Sequence, residues 1–243
     1  MKKLLFVPAL VLLLCGGLFG ADFSLSAGTG GIVGGYFTRY KSSSNVNSGE
    51  VTQNVNQFNY GGLAFLDATY GELAVSYQAG SNNYKEVAIE DGEMQNMEGN
   101  GWATSLGLSL LGKYPFNFAR RMHIFPLLGM EYKITLSERR QPDGGITYDR
   151  TNGVRETDID GNAYELSTWN SFWIQVGFGA DLAIMKNVYL RGEFLYGFRL
   201  MTSYERDGLE KLKEFLGDSD PKLGGLTSGP SFKLCAGYRF LSL

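Results

Sequence analysis

The sequence predicts an all-β protein, an eight-stranded antiparallel up-and-down β-barrel that spans a membrane. Three observations support this fold class. Polar and apolar residues alternate with a period of two in segment after segment, as they do in strands whose two faces meet different environments. The connections between these segments are alternately short and long, which places the long ones on one rim of a barrel. The chain also begins with an export signal.

The alternation predicts eight strands, approximately at 22–39, 57–70, 72–82, 101–115, 122–137, 169–184, 188–205 and 229–241. It is clearest at 101–115, where Leu106, Leu108 and Leu110 share one face and Ser105 and Ser109 share the other. The polar faces are rich in charge and glycine, which does not suit an apolar ligand cavity. We therefore expect the apolar faces to meet lipid and the polar faces to line the lumen.

The connections give the barrel its two rims. Short connections are predicted around Tyr70-Gly71, at 116–121 and at 185–187, whereas 40–56, 83–100, 138–168 and 206–228 are predicted as long extracellular loops. Turn signals at Pro142 and Asn152 predict a small hairpin in the third long loop. Apolar spacing in the fourth predicts a short amphipathic helix that presents Leu209, Leu212, Phe215 and Leu216 on one side.

The N-terminus has the features of a secretory signal peptide. Lys2 and Lys3 precede an apolar run from Leu4 to Leu14, and small residues follow. We expect 1–21 to be removed, leaving 22–243 as the barrel domain. Cys15 would permit a lipid anchor, but the residue before it is Leu14, where a small residue is expected. Beyond the signal no apolar run reaches the length of a membrane-spanning helix.

Charge and cysteine content exclude several classes of protein. The full chain has a net charge of −3, and loss of the signal removes two lysines and no acid. This mild acidity gives no reason to expect a nucleic-acid partner. Once Cys15 is removed with the signal, only Cys235 remains, so no internal disulfide is expected. Cys235 falls on an inward face and is expected to be a buried structural thiol.

The end of the chain carries a motif found in exported barrels. The segment from Lys233 to Phe240 resembles the C-terminal signal by which outer-membrane barrels are handed to their assembly machinery, with Lys233, Cys235, Tyr238 and Phe240 at the matching places. It departs from that signal in having Cys235 where glycine is usual and three residues after Phe240. With the loop pattern, the chain resembles small eight-stranded outer-membrane proteins of the OmpA, OmpX and OmpW type. This resemblance implies the bacterial outer membrane as location.

Ten charged residues fall on the faces predicted to point inward. Eight strands leave an interior just wide enough for side chains to fill, and an unpaired buried charge is costly. We therefore expect a lumen charge network that closes the barrel to large solutes, and a narrow functional pore is the alternative. The network comprises Asp67, Lys113, Glu131, Lys133, Asp181, Arg191, Glu193, Arg199, Lys233 and Arg239.

No catalytic, metal or cofactor site emerges from the sequence. His123 is the one histidine, and Phe125 stands where outer-membrane acyl hydrolases place a serine. The segment 158–162 is acidic but lacks the spacing of a full calcium loop. The glycines between Gly28 and Gly35 precede no helix, so we attribute them to barrel curvature and not to a phosphate site.

Three function hypotheses follow. The first is a monomeric outer-membrane protein, in contact with outer-membrane lipid, that has a structural or surface-interaction role. In this hypothesis its extracellular loops bind an extracellular ligand. The second is a narrow channel or lateral conduit for small molecules. The third is a soluble periplasmic barrel of lipocalin type, with its apolar face enclosing a ligand.

Overall fold

The computed structural model describes residues 23–43, 50–90, 93–142, 148–151, 155–157, 163–165, 170–202 and 222–242. The predicted signal peptide at 1–21, the acidic segment at 158–162 and the predicted helix around Leu209–Leu216 lie outside the described residues. The described residues form the strands β1 (Ser24–Ser43), β2 (Glu50–Ala68), β3 (Gly71–Glu90), β4 (Glu93–Lys113), β5 (Phe116–Ala119), β6 (Met122–Pro142), β7 (Tyr148–Thr151), β8 (Arg155–Thr157), β9 (Ala163–Glu165), β10 (Asn170–Ala183), β11 (Val188–Thr202) and β12 (Lys222–Ser242).

Eight long strands pair into a closed ring. Around the ring their order is β1, β2, β3, β4, β6, β10, β11 and β12, and each strand is antiparallel to both of its neighbours. Pairing between β12 and β1 closes the ring. Strand ends that extend beyond the ring, such as 93–98 of β4 and 222–227 of β12, pair on one side. The predicted eight-stranded antiparallel up-and-down barrel is confirmed.

The strands on one side of the barrel are longer than the sequence predicts. Residues 83–100 were expected to be a loop, but β3 and β4 continue their ladder through this region as far as the pair Glu90 and Glu93. The prediction was wrong because this segment mixes polar and apolar residues on both faces, as Lys85 with Val87 and Tyr84 with Glu86 show, so the regular alternation that marks a strand stops before the strand does. Backbone hydrogen bonds hold the extension, and they leave no signal in composition.

The third long connection contains short paired strands. β7 pairs with the end of β6 from Ser137 opposite Thr151 to Arg140 opposite Tyr148, and β8 pairs with β9. A small hairpin in this connection was expected, and β6 with β7 supplies one. The connections on the opposite rim are short, at 69–70, 114–121 and 184–187. The first residue of β1 lies opposite the last of β12 on that same rim.

The apolar faces point away from the barrel axis. Leu108 is 51% exposed on the outer surface, and Leu106 and Leu110 beside it are also exposed. Arg191 and Glu193, on the opposite face of the wall, are each 1% exposed. This is the orientation predicted from the sequence, and it is the reverse of a lipocalin-type barrel. Among the described residues, no helix is long and apolar enough to cross a membrane.

The apolar outer surface forms a belt with aromatic residues at its limits. Tyr60 and Trp102 contact each other at one limit, with ring centroids 6.0 Å apart, and Tyr70 and Tyr114 do so at the other, at 5.9 Å. Trp102 and Tyr114 are separated by twelve positions along one strand direction. With a rise of about 3.3 Å per residue and a tilt of about 40°, these positions differ in height by about 30 Å. That height matches the hydrocarbon core of a bilayer.

Candidate functional site

The lumen is lined by every second residue of the barrel strands, and it is densely filled. On β11 the inward residues are Tyr189, Arg191, Glu193 and Leu195, all of them buried. The strand's two-residue period places these four on one face, because successive side chains point to opposite sides of a strand. The same two-residue period brings charged residues from seven strands into the lumen, and they form two clusters.

The first is the Arg191 cluster, which comprises Asp67, Glu72, Lys113, Asp181, Arg191, Glu193 and Lys233. Arg191 binds Asp181 through two parallel hydrogen bonds, Nε to Oδ1 at 2.7 Å and Nη2 to Oδ2 at 2.8 Å. Its Nη1 donates to Glu72 Oε2 at 2.6 Å, and its Nη2 donates to Asp67 Oδ2 at 3.0 Å. One guanidinium thus binds three carboxylates from three other strands. It can do so because its planar group presents several N–H donors in fixed directions.

Aromatic rings surround the same guanidinium. The Cζ atom of Arg191 lies 5.2 Å from the ring centroids of Phe65, Phe125 and Tyr189. These distances are within the range of cation–π attraction. The rings also exclude water from the ion pairs, which strengthens the electrostatic interaction of the charges that they enclose.

Two lysines complete the first cluster. Lys113 forms an ion pair with Asp67. Lys233 Nζ lies 3.0 Å from Glu193 Oε2 and 3.4 Å from Glu72 Oε1. The cluster therefore sets three cations against four carboxylates. Each of these acids has a cation within ion-pair distance, and the cluster as a whole holds one more acid than cations.

The second is the Lys133 cluster, which comprises Tyr36, Gln78, Glu131, Lys133, Trp173 and Gln175. Lys133 Nζ donates to Tyr36 Oη at 3.1 Å and to Gln78 Oε1 at 3.4 Å. It also lies 4.4 Å from the ring centroid of Tyr36 and 5.4 Å from that of Trp173. Gln175 Nε2 donates to Glu131 Oε2 at 2.9 Å, so this cluster is also joined across several strands.

Both clusters cross the full width of the lumen. In the order of strands around the ring, β3 and β11 are four steps apart in either direction, and so are β1 and β6. The contact between Glu72 and Arg191 joins the first opposite pair. The contact between Tyr36 and Lys133 joins the second. Side chains from opposite walls therefore touch directly at two places.

Inward glycines make room for the large side chains. A Cβ atom at Gly237 would overlap the ring of Tyr189, and one at Gly179 would overlap the ring of Phe125. Gly28 stands against the ring of Phe65 in the same way. The glycines near the start of β1 were attributed to curvature, and at Gly28 the structure shows close packing against a ring as the reason for glycine.

Apolar residues also reach the lumen. Leu111, Phe125, Leu127 and Leu195 form one buried cluster. A second buried cluster consists of Ile32, Leu63, Phe65, Ala74, Tyr189 and Cys235. The interior is therefore packed with apolar and ionic side chains together. Cys235 is a free, buried thiol, on the inward face where it was expected.

The structure brings together most of the residues predicted for the lumen. Eight of the ten take part in the two clusters, and Arg199 and Arg239 lie half-buried on the same face. The guanidinium of Arg239 lies 6.0 Å from the ring centroid of Tyr189. Glu72 was missed although it is buried and contacts both Arg191 and Lys233. The signal was available, because Glu72 has the same parity as Ser76 and Gln78 on the polar face of β3.

The residues of the predicted assembly signal lie on both faces of β12. Tyr238 and Phe240 are exposed on the outer wall, whereas Lys233 and Cys235 are buried in the lumen. His123 lies near the start of β6, opposite Asp181 of β10. Within the described part of the chain, no group of three or more His, Cys, Asp or Glu residues is arranged to hold a metal ion.

Comparisons with known proteins return matches only among solved structures. No protein-family model and no curated protein matches the sequence. The chain is similar to Neisserial surface protein A (NspA), with a TM-score of 0.36 at 15% identity over 86% of this chain and 97% of that one. It is similar to the outer membrane protein OprG from Pseudomonas aeruginosa, with a TM-score of 0.39 at 11% sequence identity, over 88% of this chain and 97% of that one. It is also similar to the outer membrane protease OmpT from Escherichia coli, with a TM-score of 0.35 at 8% sequence identity, over 91% of this chain and 98% of that one.

Proposed function

We propose that the protein is a monomeric integral β-barrel of the bacterial outer membrane, with a lumen closed to large solutes and long loops that meet partners outside the cell. The observation that carries the closed lumen is the Arg191–Glu72 pair, which joins opposite walls of the barrel. The role is structural and non-enzymatic, because the carboxylates of the Arg191 cluster are held by cations and not presented to a substrate.

The outer surface supports the membrane part of the proposal. A belt of exposed apolar side chains about 30 Å high would be unstable in water but suits a bilayer. In lipid every backbone group must be satisfied internally, and a closed ring of strands satisfies that requirement. An N-terminal export signal, short turns on one rim and long connections on the other are typical of bacterial outer-membrane barrels.

The extension of β3 and β4 beyond the apolar belt supports the surface role. The β3–β4 ladder continues for nine positions beyond Trp102, as far as Glu93, which adds about 20 Å of height at the same rise and tilt. On these two strands beyond Trp102, the exposed residues among the described side chains are polar, namely Asn83, Lys85, Glu98 and Asn100. Lys85 and Glu98 pair on this surface. These two strands therefore carry their connection at 91–92 well away from the lipid, where this end of the wall can meet a partner.

The membrane part is tested by detergent dependence. We expect the purified chain without 1–21 to aggregate in detergent-free buffer and to insert into phospholipid vesicles as a monomer. The comparison is analytical ultracentrifugation with and without detergent. A chain that stays monomeric and soluble without detergent would contradict the membrane assignment and favour a soluble barrel.

The surface role is tested by loop replacement. The segments 44–49, 143–169 and 203–221 and the end of the β3–β4 hairpin at 86–97 are replaced together by short turns. Adhesion of bacteria displaying the barrel to host cells or immobilised matrix is then measured. We expect adhesion to be lost while the barrel still assembles. The control carries Asn117→Gln, an exposed position on the opposite rim. Adhesion that survives removal of all four loops would refute the surface role and leave the structural role.

A further inference from the structure

Two neighbouring turns present cations on the short-turn rim. The first, between β5 and β6, carries Arg120 and Arg121, and the second, between β10 and β11, carries Lys186; all three are exposed. The backbone N–H of Ala183 donates to the carbonyl oxygen of Arg121 at 2.8 Å, which holds the two turns side by side. The three positive charges thus lie on one part of the rim.

Exposed apolar side chains stand next to these cations. Phe118 is 69% exposed and Phe116 is 50% exposed on β5, and Met185 is 68% exposed on the neighbouring turn. The ring of Phe116 lies 5.0 Å from that of Tyr114, which belongs to the aromatic limit of the belt. The apolar surface therefore extends from the belt to the cations. Aromatic residues beside Lys or Arg are typical of the boundary between hydrocarbon and lipid headgroups.

Within the three described turns of this rim, the exposed charge is of one sign. The turns 69–70, 114–121 and 184–187 contain three cations and no acid. The acids nearest to them in sequence, Asp67, Glu72 and Asp181, are buried in the lumen and paired with Arg191. By contrast, 83–100 on the opposite side contains one lysine and five acids. Anions are therefore attracted to the short-turn rim in particular.

We propose that Arg120, Arg121 and Lys186 form a binding surface for the headgroups of anionic phospholipids at the short-turn interface of the membrane. The apolar residues beside them insert among the acyl chains, while the cations meet the phosphate groups. This inference rests on the membrane location proposed above. A phospholipid fits this surface better than a soluble anion does, because the cations adjoin exposed aromatic rings at the end of the lipid-facing belt.

The test compares lipid selectivity in the full mature chain. The protein is refolded into phosphatidylcholine vesicles containing a minor fraction of phosphatidylglycerol, and its association with spin-labelled phosphatidylglycerol and phosphatidylcholine is measured by electron paramagnetic resonance. We expect a preference for phosphatidylglycerol that weakens with added salt. Arg120→Gln, Arg121→Gln and Lys186→Gln together should lower that preference about fivefold or more, since each cation near an anionic surface contributes about fivefold in binding.

The matched control removes three exposed cations from the other side of the belt, by Arg39→Gln, Lys85→Gln and Arg139→Gln. It should leave the preference unchanged. An equal loss in the control, or an unchanged preference in the short-turn variant, would overturn the proposal. Wild-type protein that inserts without preferring phosphatidylglycerol would refute only this inference. Wild-type protein that fails to insert at all would refute the membrane location on which it rests.

Discussion

Arg191 and Glu72 belong to strands that are four steps apart in either direction around the barrel, yet Nη1 of the arginine lies 2.6 Å from Oε2 of the glutamate. A single contact therefore spans the lumen. Because Arg191 also binds Asp67 and Asp181, it ties β11 to three other strands. The closed state of the barrel depends on this residue more than on any other in the Arg191 cluster.

Replacement of Arg191 tests this dependence. Arg191→Met keeps the length of the side chain but leaves buried carboxylates without their cation, so the free energy of unfolding should fall by about 3–5 kcal/mol. The measurement is urea unfolding from phospholipid vesicles. Arg39→Met removes an exposed arginine from β1 on the other side of the belt and should change the free energy by no more than about 0.5 kcal/mol. Similar small effects of both substitutions would show that the cluster contributes little to stability.

The close packing of glycine against aromatic rings leads to a second prediction. Gly237→Ala places a methyl group where the ring of Tyr189 lies and should destabilise the barrel by about 1–3 kcal/mol. Gly62→Ala is the matched control on the outer wall, because the nearest atom to its added methyl group would be 3.8 Å away. Equal unfolding free energies for the two variants would contradict this account of the inward glycines.

The height of the apolar belt can be tested with a charge. Leu108 lies near the middle of the belt, so Leu108→Arg should destabilise the barrel in lipid by about 2–4 kcal/mol. Asn83 lies on the same outer surface beyond Trp102, and Asn83→Arg should cost at most about 1 kcal/mol. Unfolding of both variants from vesicles gives the comparison. A greater cost at position 83 would mean that the belt has been placed at the wrong height.

The buried thiol provides a probe of the closed lumen. Cys235 is 3% exposed and lies among apolar residues. In vesicles, the thiol should react with a water-soluble maleimide at least a hundredfold more slowly than in the urea-unfolded chain, since the reactive thiolate is shielded from solvent. Gel-shift labelling over time measures both rates. Rapid labelling of the folded barrel would show that water and small solutes reach the lumen freely.

The sequence is sufficient to predict the barrel and the face of each strand. On β4, β11 and β12 the period of two is clear enough to separate Leu108 from Ser109, and Arg191 from Leu190. That separation alone predicts which charges enter the lumen. It succeeds because every strand in this barrel has one face in lipid and one in a packed interior, so burial follows parity.

Other features cannot be predicted from the alternation of side chains between the two faces of a strand. The upper parts of β3 and β4 mix polar and apolar residues on both faces, so no regular alternation in 83–100 distinguishes paired strands from a loop. The partners of Arg191 depend on the stagger of the strands around the ring. This stagger cannot be predicted from the sequence of any one strand. Glu72 was overlooked because the two faces of its short predicted strand were not assigned, although its parity matches that of Gln78.

Single-channel recording in planar bilayers tests the closed lumen most directly. With direct contacts between Arg191 and Glu72 and between Lys133 and Tyr36, the wild-type barrel should show no steady, large open-state current. Shortening both cations, by Arg191→Ala with Lys133→Ala, should raise the frequency and size of openings if the variant assembles. Steady, large currents through the wild-type protein would contradict the account.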